Sequence, residues 1–228
     1  MRYFIANWKA RKNLKEGYDW FEAFSARINS NQNLNTTLHN GEVKIIVCPP
    51  HPLISPLKEK FGDRLPIYFG AQDVSQFEEG SYTGEVTAKS LEGLVNYVIV
   101  GHSERRRYLN ETNEMIINKI IQAKKYNIEP ILCVRNQEDL PLKNVDIISY
   151  EPVQAIGTGK NEDPKDILGM KKRLQIPRST VFFYGGSVNK TTILDYLKTD
   201  EINGFLIGTA SNDPLDFYNI VSTAILKK

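Results

Sequence analysis

The residues best suited to chemistry in this 228-residue chain lie where its apolar runs stop. Val145-Asp146-Ile147-Ile148-Ser149-Tyr150 is a β-branched run of the kind that forms a buried parallel strand, and Glu151 stands at its end. A loop of small residues follows, closing on Gly157 and Gly159, so the carboxylate reads as a general base beside a lid. Two further strand ends carry reactive groups. Arg2-Tyr3-Phe4-Ile5-Ala6 runs into Asn7-Trp8-Lys9, and Tyr97-Val98-Ile99-Val100-Gly101 runs into His102-Ser103-Glu104. A carboxylate, an imidazole and an ammonium at separate strand ends suit proton transfer with electrostatic support for the charge that develops.

Such groups converge only if their strands run parallel and end on one face. Apolar runs at 3–6, 43–48, 67–71, 97–101, 130–134, 145–150, 180–184 and 204–207 read as eight strands. Helical patterns at 14–28, 53–61, 87–91, 112–126, 164–174, 191–198 and 214–226 fill seven of the intervals, with Pro164 and Pro214 suited to first turns. Eight strand–crossover units imply an α/β fold of the (β/α)8 barrel type, and the pattern favours one domain over residues 1–228. The exception is 135–144, where a span of about ten residues leaves room for a reduced helix or none between strands five and six. The polar stretch 29–41 reads as a loop carrying an exposed His39.

A net charge of +2 from 29 basic and 27 acidic residues gives no argument for nucleic acid or for a membrane surface. The chain opens on a strand without a charged and apolar leader, and no apolar stretch approaches a membrane span, so a soluble cytoplasmic protein is expected. Cys48 and Cys133 sit at buried strand ends and read as reduced thiols. The three histidines have no metal-ligand spacing, and neither a metal nor a cofactor is expected.

Four segments taken together, Asn7-Trp8-Lys9, His102-Ser103-Glu104-Arg105-Arg106, Tyr150-Glu151-Pro152 with its loop, and Tyr184-Gly185-Gly186-Ser187, resemble the triosephosphate isomerase family nearly end to end. Cys48-Pro49-Pro50, Gly70-Ala71-Gln72-Asp73 and Tyr82-Thr83-Gly84-Glu85 fill the intervals. The resemblance implies an isomerase for dihydroxyacetone phosphate and D-glyceraldehyde 3-phosphate, working through an enediolate. Glu151 would be the base and His102 a neutral electrophile, kept uncharged by the amides of the short helix that Ser103 opens. Lys9 and Asn7 would support the developing charge, both pointing inward because residues two apart on an extended segment share a side. Gly157, Ser187, Gly208 and Thr209 would hold the phosphate, with Glu104 and Tyr184 in support.

The resemblance also implies a homodimer through the loop from Gln72 to Glu85, with Thr83 at its tip and Glu85 facing Arg105 across the interface. This chain departs from the family in four places. Gln154 stands where the family usually has Trp, Arg135-Asn136 where it has Gly-Glu, Thr209 where it has a second glycine, and Glu162 where it has a small residue. The first two touch the contact that holds the family's lid open. A barrel hosts many chemistries. Another phosphosugar isomerase or lyase therefore stays open, as does a non-catalytic or altered phosphosugar-binding homologue.

Overall fold

A computed structural model describes residues 1–139, 145–152 and 161–225. Eight parallel strands close into a barrel in chain order: β1 (Arg2–Asn7), β2 (Val43–Cys48), β3 (Tyr68–Ala71), β4 (Tyr97–Val100), β5 (Glu129–Val134), β6 (Ile147–Tyr150), β7 (Val181–Tyr184) and β8 (Gly204–Ile207). β8 returns to β1 with Tyr3 opposite Gly204 and Ala6 opposite Ile207. The helices are α1 (Leu14–Ser30), α2 (Gln32–His39), α3 (His51–Phe61), α4 (Ala88–Leu91), α5 (Ser103–Tyr108), α6 (Asn113–Lys125), α7 (Pro164–Arg173), α8 (Ile193–Tyr196) and α9 (Pro214–Ile225). Among the described residues, no helix is long and apolar enough to cross a membrane.

Alternation along the strands sorts their side chains into two cores. Tyr3, Ile5, Ile46, Cys48, Ile99, Ile131, Cys133, Ile147, Phe183 and Leu206 fill the barrel, while Phe4, Ala6, Val47, Val98, Leu132, Ile148, Phe182 and Phe205 face the helices. Continuing the inward rows by one step of two reaches Asn7 on β1, Glu151 after β6, Gly185 after β7 and Gly208 after β8. The pleat that fills the barrel therefore also delivers one residue from each of these four strands to its C-terminal mouth.

The interval 29–41 is not a loop. Asn31 caps α2, its side chain accepting from the Leu34 amide at 3.0 Å, and Leu34, Thr37 and Leu38 are buried. Three buried positions in eight residues give too narrow an apolar stripe to stand out from the surrounding Asn and Thr. His39 lies in the last turn of α2, exposed as expected.

The short crossover after β5 contains a 3-10 turn at Gln137–Asp139, and its apolar residues Leu140 and Leu142 lie outside the described residues. What holds the described part of the crossover is charge. The buried Asp139 accepts from the Arg135 amide (2.8 Å), from Arg135 Nε (2.7 Å) and from Nη2 (2.9 Å), and Arg106 Nη1 stands 3.5 Å away. Arg106 is buried as well, the paired member of the run Arg105-Arg106-Arg107. It donates to the carbonyls of Gly101 (2.8 Å) and Asp139 (3.1 Å) and so ties the turn to the end of β4.

Burial pushes the Asp139 carboxyl up, but the two arginines outweigh it and hold it below the usual carboxylate range. Its stabilising effect is therefore present above the unfolded value of about 3.9 and is lost as pH falls through the lower folded value. Asp139→Asn should destabilise the fold at pH 7 by about 3 kcal/mol, the low end for a broken buried pair, because Arg135 keeps some access to water. Urea denaturation should find that difference shrinking as pH drops below about 4. A constant difference across that range would show that ionisation of Asp139 is not what stabilises the crossover.

Candidate active site

Glu151 enters the mouth at the end of β6 and is 1% exposed. Its Oε2 accepts from the Ser103 amide at 2.8 Å, and its Oε1 lies 3.0 Å from His102 Nε2. Gly185 makes room for it, since a Cβ there would meet Glu151 Cγ at 2.8 Å and Ser149 Oγ at 2.9 Å. Both partners of the carboxylate come from the end of β4. There Gly101, at φ +69°, turns the chain so that His102 becomes the N-cap of α5.

The imidazole tautomer follows from its contacts. Nδ1 accepts from the Glu104 amide at 3.3 Å, so in the neutral ring the proton sits on Nε2, aimed at Glu151. Burial works against a charged His102, but the Glu151 carboxylate outweighs it and raises the pKa above the ordinary value. Burial likewise pushes Glu151 up, and His102 with Ser103 outweighs it, leaving the carboxyl below the usual range. The same contact therefore shifts each partner toward its charged form, against the pull of burial. Burial and Lys9 disfavour the imidazolium, and the paired carboxylate is the main influence in its favour.

Lys9 reaches the mouth by a different route from the expected one. Its φ is +54°, so the segment is not extended beyond Asn7, and the shared side comes from a left-handed turn. Asn7 Oδ1 accepts from the Lys9 amide at 3.1 Å, and Gln72 Nε2 donates to the Lys9 carbonyl at 2.9 Å. The ammonium is held by Glu104 at 2.5 Å, and a Cβ on Gly208 would stand 3.2 Å from Lys9 Cε. Glu104 thus orients two functional groups at once: its side chain holds Lys9, and its amide sets the His102 tautomer.

Asn7, Lys9, His102, Glu151, Ser187, Gly208 and Thr209 line one cavity of about 480 Å³. Thr209 opens a 3-10 turn, Thr209–Ser211, with φ outside the left-handed region, so threonine sits where the family has glycine without strain. Tyr184 faces away from the cavity. Its ring packs against Tyr196 at 4.8 Å, and its hydroxyl accepts from the Glu162 amide at 3.1 Å. Gly186 leaves space for that hydroxyl, with which a Cβ would collide. Gly157 and Gln154 lie outside the described residues.

Sequence reasoning did not pick out the Ser103 amide, Gln72 as a loop tie, or Asp216, which lines the cavity at its exposed rim. Of these only Ser103 had a signal, its place one residue after the histidine. Among the described residues no group of three or more His, Cys, Asp and Glu side chains could hold a metal. Chemically, the arrangement offers a carboxylate base, an N–H donor 3.0 Å from it, a fixed ammonium and two glycine-bearing loops at one opening.

Known proteins match this chain over nearly its whole length. The family model for triosephosphate isomerase matches residues 2–224. The triosephosphate isomerase of Dictyoglomus thermophilum is 34% identical, covering 96% of this chain and 97% of its own length. That of Mesomycoplasma hyopneumoniae strain 7448 is 34% identical over 95% and 97%, and that of Aquifex aeolicus 33% over 96% and 98%. A closed eight-stranded barrel, a strand-end Glu and His in contact, and sequence similarity from the first strand to the last helix make the chain a member of the triosephosphate isomerase family.

Proposed function

We propose that the chain interconverts dihydroxyacetone phosphate and D-glyceraldehyde 3-phosphate through an enediolate, with Glu151 as base and His102 as electrophile. The observation that carries this reading is the 3.0 Å contact between Glu151 Oε1 and His102 Nε2, inside a cavity shared with Lys9. Substrate entering there takes over both ends of that contact. The carboxylate turns to the carbon beside the carbonyl, and Nε2–H donates to the carbonyl oxygen.

Glu151 removes the proton from one carbon and, as the carboxylic acid, returns it to the neighbouring carbon, while the hydroxyl proton passes from one enediolate oxygen to the other by way of His102 Nε2, so the isomerisation balances with these two side chains. Lys9 and Asn7 stabilise the negative charge on the enediolate oxygens. Separation from Glu151 removes the main influence that favours the imidazolium, and burial and Lys9 then favour the neutral ring. Substrate that separates the pair therefore meets a carboxylate base and a neutral Nε2–H donor. The phosphate is held by Gly157, Ser187, Gly208 and Thr209, for which backbone amides are the natural donors.

The same reading includes a single domain, a cytoplasmic location and a homodimer through the loop from Gln72 to Glu85. Phe77 and Tyr82 stack on this loop at 4.2 Å and are 38% and 45% exposed, apolar surface that a partner subunit would cover. An interface pair between Glu85 and Arg105 has competition within the chain. Arg105 Nη2 is 2.7 Å from Asp73, and its Nε is 3.1 Å from Glu111, in a cluster completed by Lys119; Glu85 accepts from Ser75 Oγ at 2.5 Å.

Turnover of both triose phosphates tests the proposal. Glu151→Gln should keep phosphate-analogue binding and lower kcat by at least ~100-fold, the usual range for a general base; near-normal turnover would remove Glu151 from the mechanism. Nitrogen NMR of the imidazole should find the His102 pKa lower in Glu151→Gln than in the parent, and an unchanged value would mean that the carboxylate is not its main influence. Sedimentation should give a dimer that dissociates on Phe77→Ser with Tyr82→Ser. A fully active monomeric parent at assay concentration would refute the proposed interface.

A further inference from the structure

Lys12 lies between β1 and α1, three residues past Lys9, and it has φ +75°, a left-handed conformation uncommon in a non-glycine residue. Strain of this kind persists where surrounding contacts determine the backbone, and it gathers at binding sites. The contacts here are specific. Lys12 Nζ donates to the Asn212 carbonyl at 2.6 Å and stands 5.3 Å from the centre of the Trp8 ring. Burial lowers the pKa of this ammonium, opposed by Glu16 and Asp213. It is thus partly withdrawn from water, where a charged hydrogen bond gains strength.

Asn212 closes the turn Thr209–Ser211, whose first residues line the cavity. The turn's own bonds run from the Ser211 amide to the Gly208 carbonyl (2.9 Å) and from the Asn212 amide to that of Thr209 (3.1 Å). Among the described residues, the amides of Thr209 and Ala210 have no internal acceptor. The far end of the turn is fastened to the β1–α1 region at successive carbonyls. Trp20 Nε1 donates to Ser211 at 3.0 Å, and Lys12 to Asn212 at 2.6 Å. Trp20 is locked in an aromatic cluster with Trp8, Phe24 and Phe217, so its end of the tie is rigid. The lysine is the charged member and spans the two loops most directly.

We infer that Lys12 is a positioning residue for the phosphate end of the site: by tethering Asn212 to the loop after β1, it holds the start of the turn, with the Thr209 amide, toward the dianion in register with Lys9. This rests on the functional reading above. It assigns to Lys12 a part in recognising the phosphate group and none in moving the proton. A loosened turn weakens binding of the dianion and the use of that binding in turnover, and it leaves Glu151 and His102 undisturbed.

The test compares the parent with Lys12→Met, Lys12→Arg and Lys12→Gly. Lys12→Met should weaken binding of inorganic phosphate in calorimetry, and kcat/KM for glyceraldehyde 3-phosphate, each by about tenfold, the scale of one charged hydrogen bond. Its slow turnover of phosphate-free glyceraldehyde should stay within about twofold. Lys12→Arg should recover most of the loss. Lys12→Gly, which suits the left-handed backbone, should fold at least as well as Lys12→Met and bind phosphate as weakly, which separates the tether from the strain. Equal losses on the two substrates, or unchanged phosphate binding in both Lys12→Met and Lys12→Gly, would overturn the inference. A parent that binds phosphate without turning over triose phosphates would sink the functional reading instead, while calorimetry on the variants would still decide the role of Lys12.

Discussion

A carboxylate buried to 1% exposure is unstable unless its oxygens find donors, and most of the mouth of this barrel is arranged around that requirement at Glu151. The donors belong to the end of β4, while the carboxylate belongs to the end of β6, so the contact passes over β5. Closing the barrel is what brings the two ends together. The same demand explains the glycine after β7, whose missing side chain is the space that Glu151 occupies. It also explains the left-handed glycine after β4, which turns the following histidine into the cavity.

From that centre the polar contacts continue outward. His102 receives the Glu104 amide, Glu104 holds Lys9, and the Lys9 backbone is held by Asn7 and Gln72. Four strand ends are thereby joined by side chains as well as by the sheet. Lys9 illustrates the gain. A long flexible ammonium loses considerable rotamer entropy when fixed, and here Glu104 fixes it before any ligand arrives, so less remains to be lost on binding.

The eight strands were legible because β-branched runs of the right length recur between helical patterns, and the inward rows could be extended to the mouth by counting in twos. Glu151, His102, Asn7 and Lys9 were legible as strand-end groups, and they do share a cavity. Other features depend on the fold and could not be read from local pattern. The left-handed backbone at Lys9 and Lys12 occurs at residues that ordinarily avoid it, so no glycine marked the turns. The raised pKa of His102 depends on a partner 49 residues away in the chain, whereas the local argument saw only the helix start. α2 was missed because its buried stripe is short and set among polar residues.

The crossover held by Asp139 also bears on how the barrel assembles. Only Arg135 to Asp146, twelve residues, separate β5 from β6, whereas β1 and β2 are separated by the whole of α1 and α2. Loop-closure entropy rises with the length of chain to be closed, and parallel pairs are slow to form because a long connection must be ordered before the strands meet. Of the seven sequential strand pairs, β5 with β6 has the shortest chain to close. The twelve-residue crossover thus gives the barrel a local contact in an otherwise non-local topology, which makes β5–β6 the natural first pair to form, with Glu151 at its growing end.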